Sequence, residues 1–243
     1  MNYSVKSDRG IVRQNNEDAC CISSLTPDSG YAIVCDGMGG ENAGEIASGM
    51  AVSIIGDRIS AGWRPDMPIA SIKNLLITSV SAANVCICER AKHEAACAGM
   101  GTTVVAAVIS GNSAVVAHAG DSRAYLCSGG ALRQLTSDHS YVQELIKKGL
   151  IKPDEAKTHP RRSLITRALG VEELVEPDLT TVFLPEDGRL LLCTDGLTNC
   201  LTDKEIAEII LSTTVPLAAE TLVARANAAG GSDNISAIVI SLN

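Results

Sequence analysis

The chain is 243 residues long, 46% hydrophobic and only 2% aromatic, so any core must be built from Ala, Val, Ile and Leu. Its formal net charge of −8 argues against a nucleic-acid partner, because phosphate backbones are held mainly by Lys and Arg. No uninterrupted apolar stretch reaches the ~18 residues of a membrane span, and Met1–Arg9 has no apolar signal region, so a soluble, cytoplasmic protein without a membrane partner is expected; a monomer is the default expectation, on which the sequence carries no signal.

In chain order, strands are predicted at Tyr3–Lys6, Asp18–Ser23 and Tyr31–Asp36. Asn42, with Glu45 three residues on, offers an N-cap for a helix running to about Ile59. A second long helix spans about Ile69 to Ala95. A hairpin turns at Gly111-Asn112, and a second pair, Ser122–Cys127 with Ala131–Leu135, turns around Gly129-Gly130. Residues 138–175 are polar and basic, with a helix at Ser140–Lys148, a short one after Pro153, and the look of a flap over a site. Strands 179–184 and 189–194 follow. A capping box, Thr202 with Glu205, opens a helix to Leu211; a helix at Pro216–Ala229 and a strand at Ile235–Leu242 close the chain. Strands and helices in this order form a layered α+β pattern within one domain.

Three apolar runs stop on an acid: Tyr31–Asp36-Gly37, Leu190–Asp195-Gly196 and Ala114–Asp121-Ser122. Asp233 precedes the last run, and Glu17-Asp18 precede an early one. A carboxylate at the inner end of a buried strand is costly unless paired or bound to metal, and no Lys or Arg lies within three residues of Asp36 or Asp195. Several such acids suit hard divalent cations. Singly, each has a plainer reading. Asp-Gly after a strand is commonly a turn, and Asp121 could pair with Arg123. His118 fits a core residue, His139 a helix cap, and His159-Pro160-Arg161-Arg162 a solvated loop or a contact for an acidic flank. Nine cysteines without a secretory signal read as reduced thiols. Cys86, Cys88, His93 and Cys97 lack zinc spacing, and core packing suits them better.

Taken together, Arg13-Gln-Asn-Asn-Glu-Asp18, Asp36-Gly-Met-Gly-Gly40, Gly101-Thr-Thr103, Gly120-Asp-Ser-Arg123, Leu135-Thr-Ser-Asp-His139, Ile165-Thr-Arg-Ala-Leu-Gly170, Asp195-Gly-Leu197 and Gly231-Ser-Asp-Asn-Ile235 resemble, in order, the metal-dependent serine/threonine protein phosphatases of the 2C type (the PPM family), and most closely the compact bacterial members. The resemblance spans nearly the whole chain. It implies an α+β, four-layer αββα sandwich of two antiparallel sheets flanked by helix pairs, as one catalytic domain over 1–243 with the flap at about 138–175. It implies a site for two Mn²⁺ or Mg²⁺ ions, with the position of a third, weaker one as in bacterial relatives. Asp36 would bridge the pair, with the Gly37 carbonyl as an oxygen ligand. Asp195 and Asp233 would serve one ion and Glu17 and Asp18 the other, while Asp121 would hold the third and Arg13 would grip the substrate phosphate. The implied partners are phosphorylated proteins and a cognate Ser/Thr kinase whose action the enzyme opposes.

One departure stands out. Where eukaryotic members carry Asp-Gly-His-Gly-Gly, this chain has Met38, and where many bacterial relatives have His after the second glycine it has Glu41. Neither is a good acid for a serine alkoxide at neutral pH, which leaves water or a flap residue such as His139 to protonate the leaving group. A binding-only phosphoprotein reader and a small-molecule phosphomonoesterase are the competing readings.

Overall fold

A computed structural model describes residues 1–39 and 43–242. The apolar runs become strands because both of their faces are covered, which removes the alternation of polar residues that a half-exposed strand would show. β1 (Asn2–Asp8), β11 (Ile235–Ser241), β10 (Arg189–Cys193), β7 (Arg123–Ser128) and β8 (Ala131–Gln134) form one antiparallel sheet in that order. The other runs β2 (Asp18–Thr26), β3 (Ser29–Met38), β5 (Val104–Ser110), β6 (Ser113–Ala119) and β9 (Asp178–Phe183), with the short β4 (Gly101–Thr102) joined to the end of β3.

Within β3 the division is residue by residue. Ala32 and Val34 point between the sheets beside Val105, Leu190 and Ile238, whereas Ile33 and Cys35 face α1 (Ala43–Gly62) and α2 (Ile69–His93). On the far side, α5 (Asp195–Cys200), α6 (Asp203–Ser212) and α7 (Val215–Ala228) cover the first sheet through Leu197, Ile206, Ile210 and Leu222. The order is helix, sheet, sheet, helix, as the resemblance implies. Each such side chain contributes about 1.5–3 kcal/mol on burial, and truncating fully buried Ile55 or Leu76 to Ala would cost about 2–5 kcal/mol.

Several local expectations are met in detail. Thr202 Oγ1 accepts from Glu205 N while Glu205 Oε2 accepts from Thr202 N at 2.8 Å, the reciprocal cap that starts α6. Others need correction. Ser140, not His139, caps α3 (Tyr141–Lys147), its Oγ accepting from Gln143 N. α2 ends at His93, and Ala95–Cys97 is a separate 3₁₀ turn. The run after Met100 is broken at Thr103, so its first two residues form β4 rather than the start of β5. The expected Asn42 cap lies outside the described residues. By length and composition α2 could cross a membrane, but here it packs as a core helix, burying Ile72, Leu76, Val80, Ala83 and Ile87.

Residues 138–175 hold α3, the short α4 (Pro153–Ala156) and irregular chain. Both ends of this segment are pinned to strand ends. His139 N donates to Gly120 O at 2.8 Å, while Thr102 and Leu169 exchange backbone hydrogen bonds at 3.0 and 2.9 Å.

Candidate active site

The sheet pairing gathers the acids at one end of the sandwich. Asp18 and Asp36 are direct partners across β2 and β3. Asp121 sits between β6 and β7, Asp195 two residues past the end of β10, and Asp233 two residues before β11; Cys193 pairs with both Arg123 and Ala237, so these ends are neighbours. Asp195 is the first residue of α5, not a turn residue. Apolar Leu197, buried one turn into the core, carries the chain straight from strand into helix.

Each acid is braced by its neighbours. Asp36 is clamped through its backbone: its N–H donates to Thr103 Oγ1 at 2.9 Å, and its carbonyl accepts from Thr103 N and Thr102 Oγ1, both at 2.9 Å. Gly37 N donates to Glu17 O at 3.1 Å, and a Cβ at Gly37 would collide with the backbone of Gly44 in α1, so only glycine permits this approach. Asp18, 9% exposed, accepts at Oδ2 from Ser236 Oγ (2.7 Å) and Thr194 Oγ1 (2.9 Å), yet its buried Oδ1 has no hydrogen-bond partner. Asn234 ties the N-terminal loop to this end. Its Nδ2 donates to Arg9 O and Asn15 O, and its Oδ1 accepts from Glu17 N, all at 2.8 Å. Arg13, half exposed, pairs with Asp233 at 2.9 Å.

Electrostatically these carboxyls oppose one another. Burial, reinforced by Asp195 and Asp233, pushes Asp18 up to about 7. Burial, then Asp18, Asp195, Asp121 and Asp233, holds Asp36 well above the carboxylate range. Burial and Asp195 bring Asp121 to about 7, and burial followed by Asp233 raises Asp195. Glu17 is raised by burial despite Arg13. Among the described residues, no ion pair reaches Asp18, Asp36, Asp121 or Asp195. The anticipated alternative partner of Asp121 is engaged elsewhere, because Arg123 grips Asp138 with Nη2–Oδ2 at 2.6 Å and Nε–Oδ1 at 2.9 Å.

Such a set fits cations. The donors are all oxygens, one buried carboxylate oxygen is orphaned, and the charge is uncompensated. The acids spread wider than one ion's shell. Among the described residues, the one trio of His, Cys, Asp or Glu with ligand atoms all within 4.8 Å of one another lies elsewhere, at His118, His139 and Asp178. The Cys86, Cys88, His93, Cys97 group does not converge: Cys86 is exposed and Cys97 is buried.

His139 does not fit the role of proton donor. Its Nδ1 accepts from Gly120 N at 3.1 Å, its Nε2 faces Asp178, and burial lowers its pKa, so it is neutral at pH 7. Met38 pairs with Gly101 and its methyl group packs there, while Glu41 lies outside the described residues. The supporting roles of Thr102, Thr103, Thr194, Ser236 and Asn234 carry no local sequence signal, although three of them stand inside the quoted motifs.

Comparison with known proteins agrees with this geometry. A family model described as protein phosphatase 2C matches residues 10–229. The serine/threonine phosphatase stp of Listeria monocytogenes is 39% identical over 244 residues, covering 99% of this chain and 95% of its own. Among solved structures, the S. agalactiae serine/threonine phosphatase superposes with a TM-score of 0.92 at 35% identity over 99% of both chains. The catalytic domain of the serine/threonine protein phosphatase PstP, in complex with two manganese ions, gives 0.85 at 35% identity, covering 98% of this chain and 96% of that one.

Proposed function

The chain belongs to the protein phosphatase 2C family of serine/threonine phosphatases, and from that premise we propose that it hydrolyses phosphoserine and phosphothreonine in proteins through a dinuclear metal site at the strand ends. The observation that carries this reading is the buried acid set without internal counter-ions, Asp18 Oδ1 above all.

In this reading Asp36 and the Gly37 carbonyl would hold the metal ions at the centre of the site. Asp195 and Asp233 would hold one ion, Glu17 and Asp18 would serve the other directly or through water, and Asp121 would offer a third, weaker position. When bound, Mn²⁺ or Mg²⁺ would acidify water and draw charge from the phosphoryl group. Arg13 supplies a planar fork for phosphate oxygens. Its pairing with Asp233 is a resting arrangement on a half-exposed side chain, weak enough to yield to a phosphate once Asp233 is engaged by a cation.

No covalent nucleophile is needed. Burial pushes the Cys193 thiol up to about 12 and Cys35 well above its usual value, so neither supplies a thiolate. With Met38 at the histidine position and His139 neutral, the leaving alkoxide takes its proton from water. The segment at 138–175, pinned at both ends beside the acids and carrying exposed Arg161, Arg162, Leu150 and Leu164, acts as a flap that meets the protein substrate within a single catalytic domain. The enzyme opposes a Ser/Thr kinase in the cytoplasm and works as a monomer.

Phosphate release from a phosphothreonine peptide tests the reading, with Mn²⁺ or excess chelator, beside Asp195→Asn. Metal-dependent turnover that disappears in the variant is expected. Peptide binding without turnover in any metal would overturn it in favour of a phosphoprotein reader.

A further inference from the structure

A second polar cluster lies away from the acids, between the two sheets at the edge formed by β9. His118 and Asp178 are direct cross-strand partners of β6 and β9, and the His139 ring stacks on His118 with centroids 4.4 Å apart. Each of the three side chains offers one ligand atom, and these atoms all lie within 4.8 Å of one another. Both histidines are more than nine-tenths buried, and neither His118 Nδ1 nor His139 Nε2 has a hydrogen-bond partner among the described residues. Asp178 Oδ2 lies 3.2 Å from His139 Nε2 without an aligned hydrogen bond, while its Oδ1 is held by Arg167 at 2.7 Å. A cavity of about 320 Å³, lined by His118, Leu135, Thr136 and Asp178 among others, opens onto the cluster and leaves room for water.

The tautomers follow from the hydrogen bonds. His118 Nε2 faces Gly120 O at 2.8 Å and so carries the hydrogen, which leaves the buried Nδ1 with an unused lone pair. This is the arrangement of a metal-binding imidazole, whose other nitrogen donates to a carbonyl. His139 is set the opposite way: its Nδ1 accepts from Gly120 N, so its hydrogen is on Nε2.

We propose that His118, His139 and Asp178 form a binding site for a borderline transition-metal ion such as Zn²⁺, separate from the oxygen-only acid set, and that loading it releases Gly120. Two imidazoles and a carboxylate with water in the fourth position are a zinc-type donor set, whereas hard Mg²⁺ prefers oxygen ligands. Ligation through His139 Nε2 requires its proton to leave. The ring then either becomes anionic or takes a proton on Nδ1, and a protonated Nδ1 can no longer accept from Gly120 N. Gly120 adjoins Asp121 and also anchors His139 N, so one ion would slacken an acid of the active site and one pin of the 138–175 segment together. The release half of the proposal rests on the reading of Asp121 as part of the metal set, which phosphate release in the absence of zinc checks by itself.

The test is equilibrium dialysis of Zn²⁺ against the full chain in millimolar Mg²⁺, comparing the parent protein with His118→Gln, Asp178→Asn and Asp195→Asn. Gln retains a donor toward Gly120 O but lacks the Nδ1 ligand, and Asp178 is exposed enough to be replaced without unfolding the chain. The expected result is one fewer tightly bound Zn²⁺ in His118→Gln and Asp178→Asn, with affinity at this site weakened roughly 10–100-fold, and retention of that ion in Asp195→Asn. Co²⁺ should give visible absorption from nitrogen ligation that is lost in His118→Gln. Equal stoichiometry in the parent and both cluster variants would overturn the site and leave a bridging water as its occupant. If the count falls as expected but Zn²⁺ inhibits the parent and His118→Gln at the same concentration, the release of Gly120 is overturned.

Discussion

Two clusters of charge lie almost side by side in this molecule, and they are treated in opposite ways. Arg123 and Asp138 are joined by several hydrogen bonds, and although burial works against its charge, Asp138 raises the Arg123 pKa further. Two residues before Arg123, Asp121 joins Asp18, Asp36 and Asp195 in a group that has no cation of its own among the described residues. The first cluster completes itself; in the proposed reading the second is completed by bound cations. The protein neutralises the Asp138 carboxylate internally and leaves four others without an ion pair among the described residues.

Substitution should separate the two clusters most sharply through activity. Asp36→Asn is expected to lower kcat/KM by roughly 10³-fold, about 4 kcal/mol of transition-state stabilisation, while raising the melting temperature of the chelated protein because one repelling carboxylate is gone. A fall in that melting temperature would mean that Asp36 is structural. In the completed cluster the sign reverses: Asp138→Ala leaves a half-buried guanidinium with only its Tyr125 hydrogen bond and should cost about 1–3 kcal/mol, read as a drop of about 5 °C in thermal unfolding.

How much of this contrast was legible in the sequence follows from the range of each interaction. Strands such as β3 and β11 were evident as apolar runs ending beside Gly or Asp, and the acids announced themselves by closing those runs. The αββα order came through the resemblance rather than through periodicity. α5 was hidden because Asp195-Gly196 reads locally as a turn; the helix exists because Leu197 finds a core pocket beyond. Asn234 and Thr103 look like ordinary polar residues, and their work is done with partners 217 and 67 positions away. The His118–Asp178 pair depends wholly on the β6–β9 register.

Smaller effects sharpen the comparison further. The carboxyls of Asp18 and Asp121 titrate near 4 when unfolded and at about 7 when folded, so between these values the native state holds more protons than the unfolded state. The stability of the chelated protein should therefore fall as pH rises from about 4 to about 7 and level off above it. A melting temperature that rises over this range would show that the acids are compensated internally. Arg13→Ala should raise KM for a phosphopeptide about tenfold while leaving the melting temperature nearly unchanged, since an exposed pair contributes about 0–1 kcal/mol. Least of all, Met38→His should improve turnover of phosphoserine peptides several-fold relative to an aryl phosphate, whose leaving group needs no acid. Equal improvement on both substrates would remove leaving-group protonation from the account.

The most direct test is a calorimetric titration of Mn²⁺ into chelator-stripped protein at pH 6.5, with Asp36→Asn beside it. The account predicts binding of more than one ion per chain with release of protons from the raised carboxyls, and loss of that binding in the variant. Absence of Mn²⁺ binding, or identical binding in Asp36→Asn, would contradict the claim that these acids are kept bare for metal.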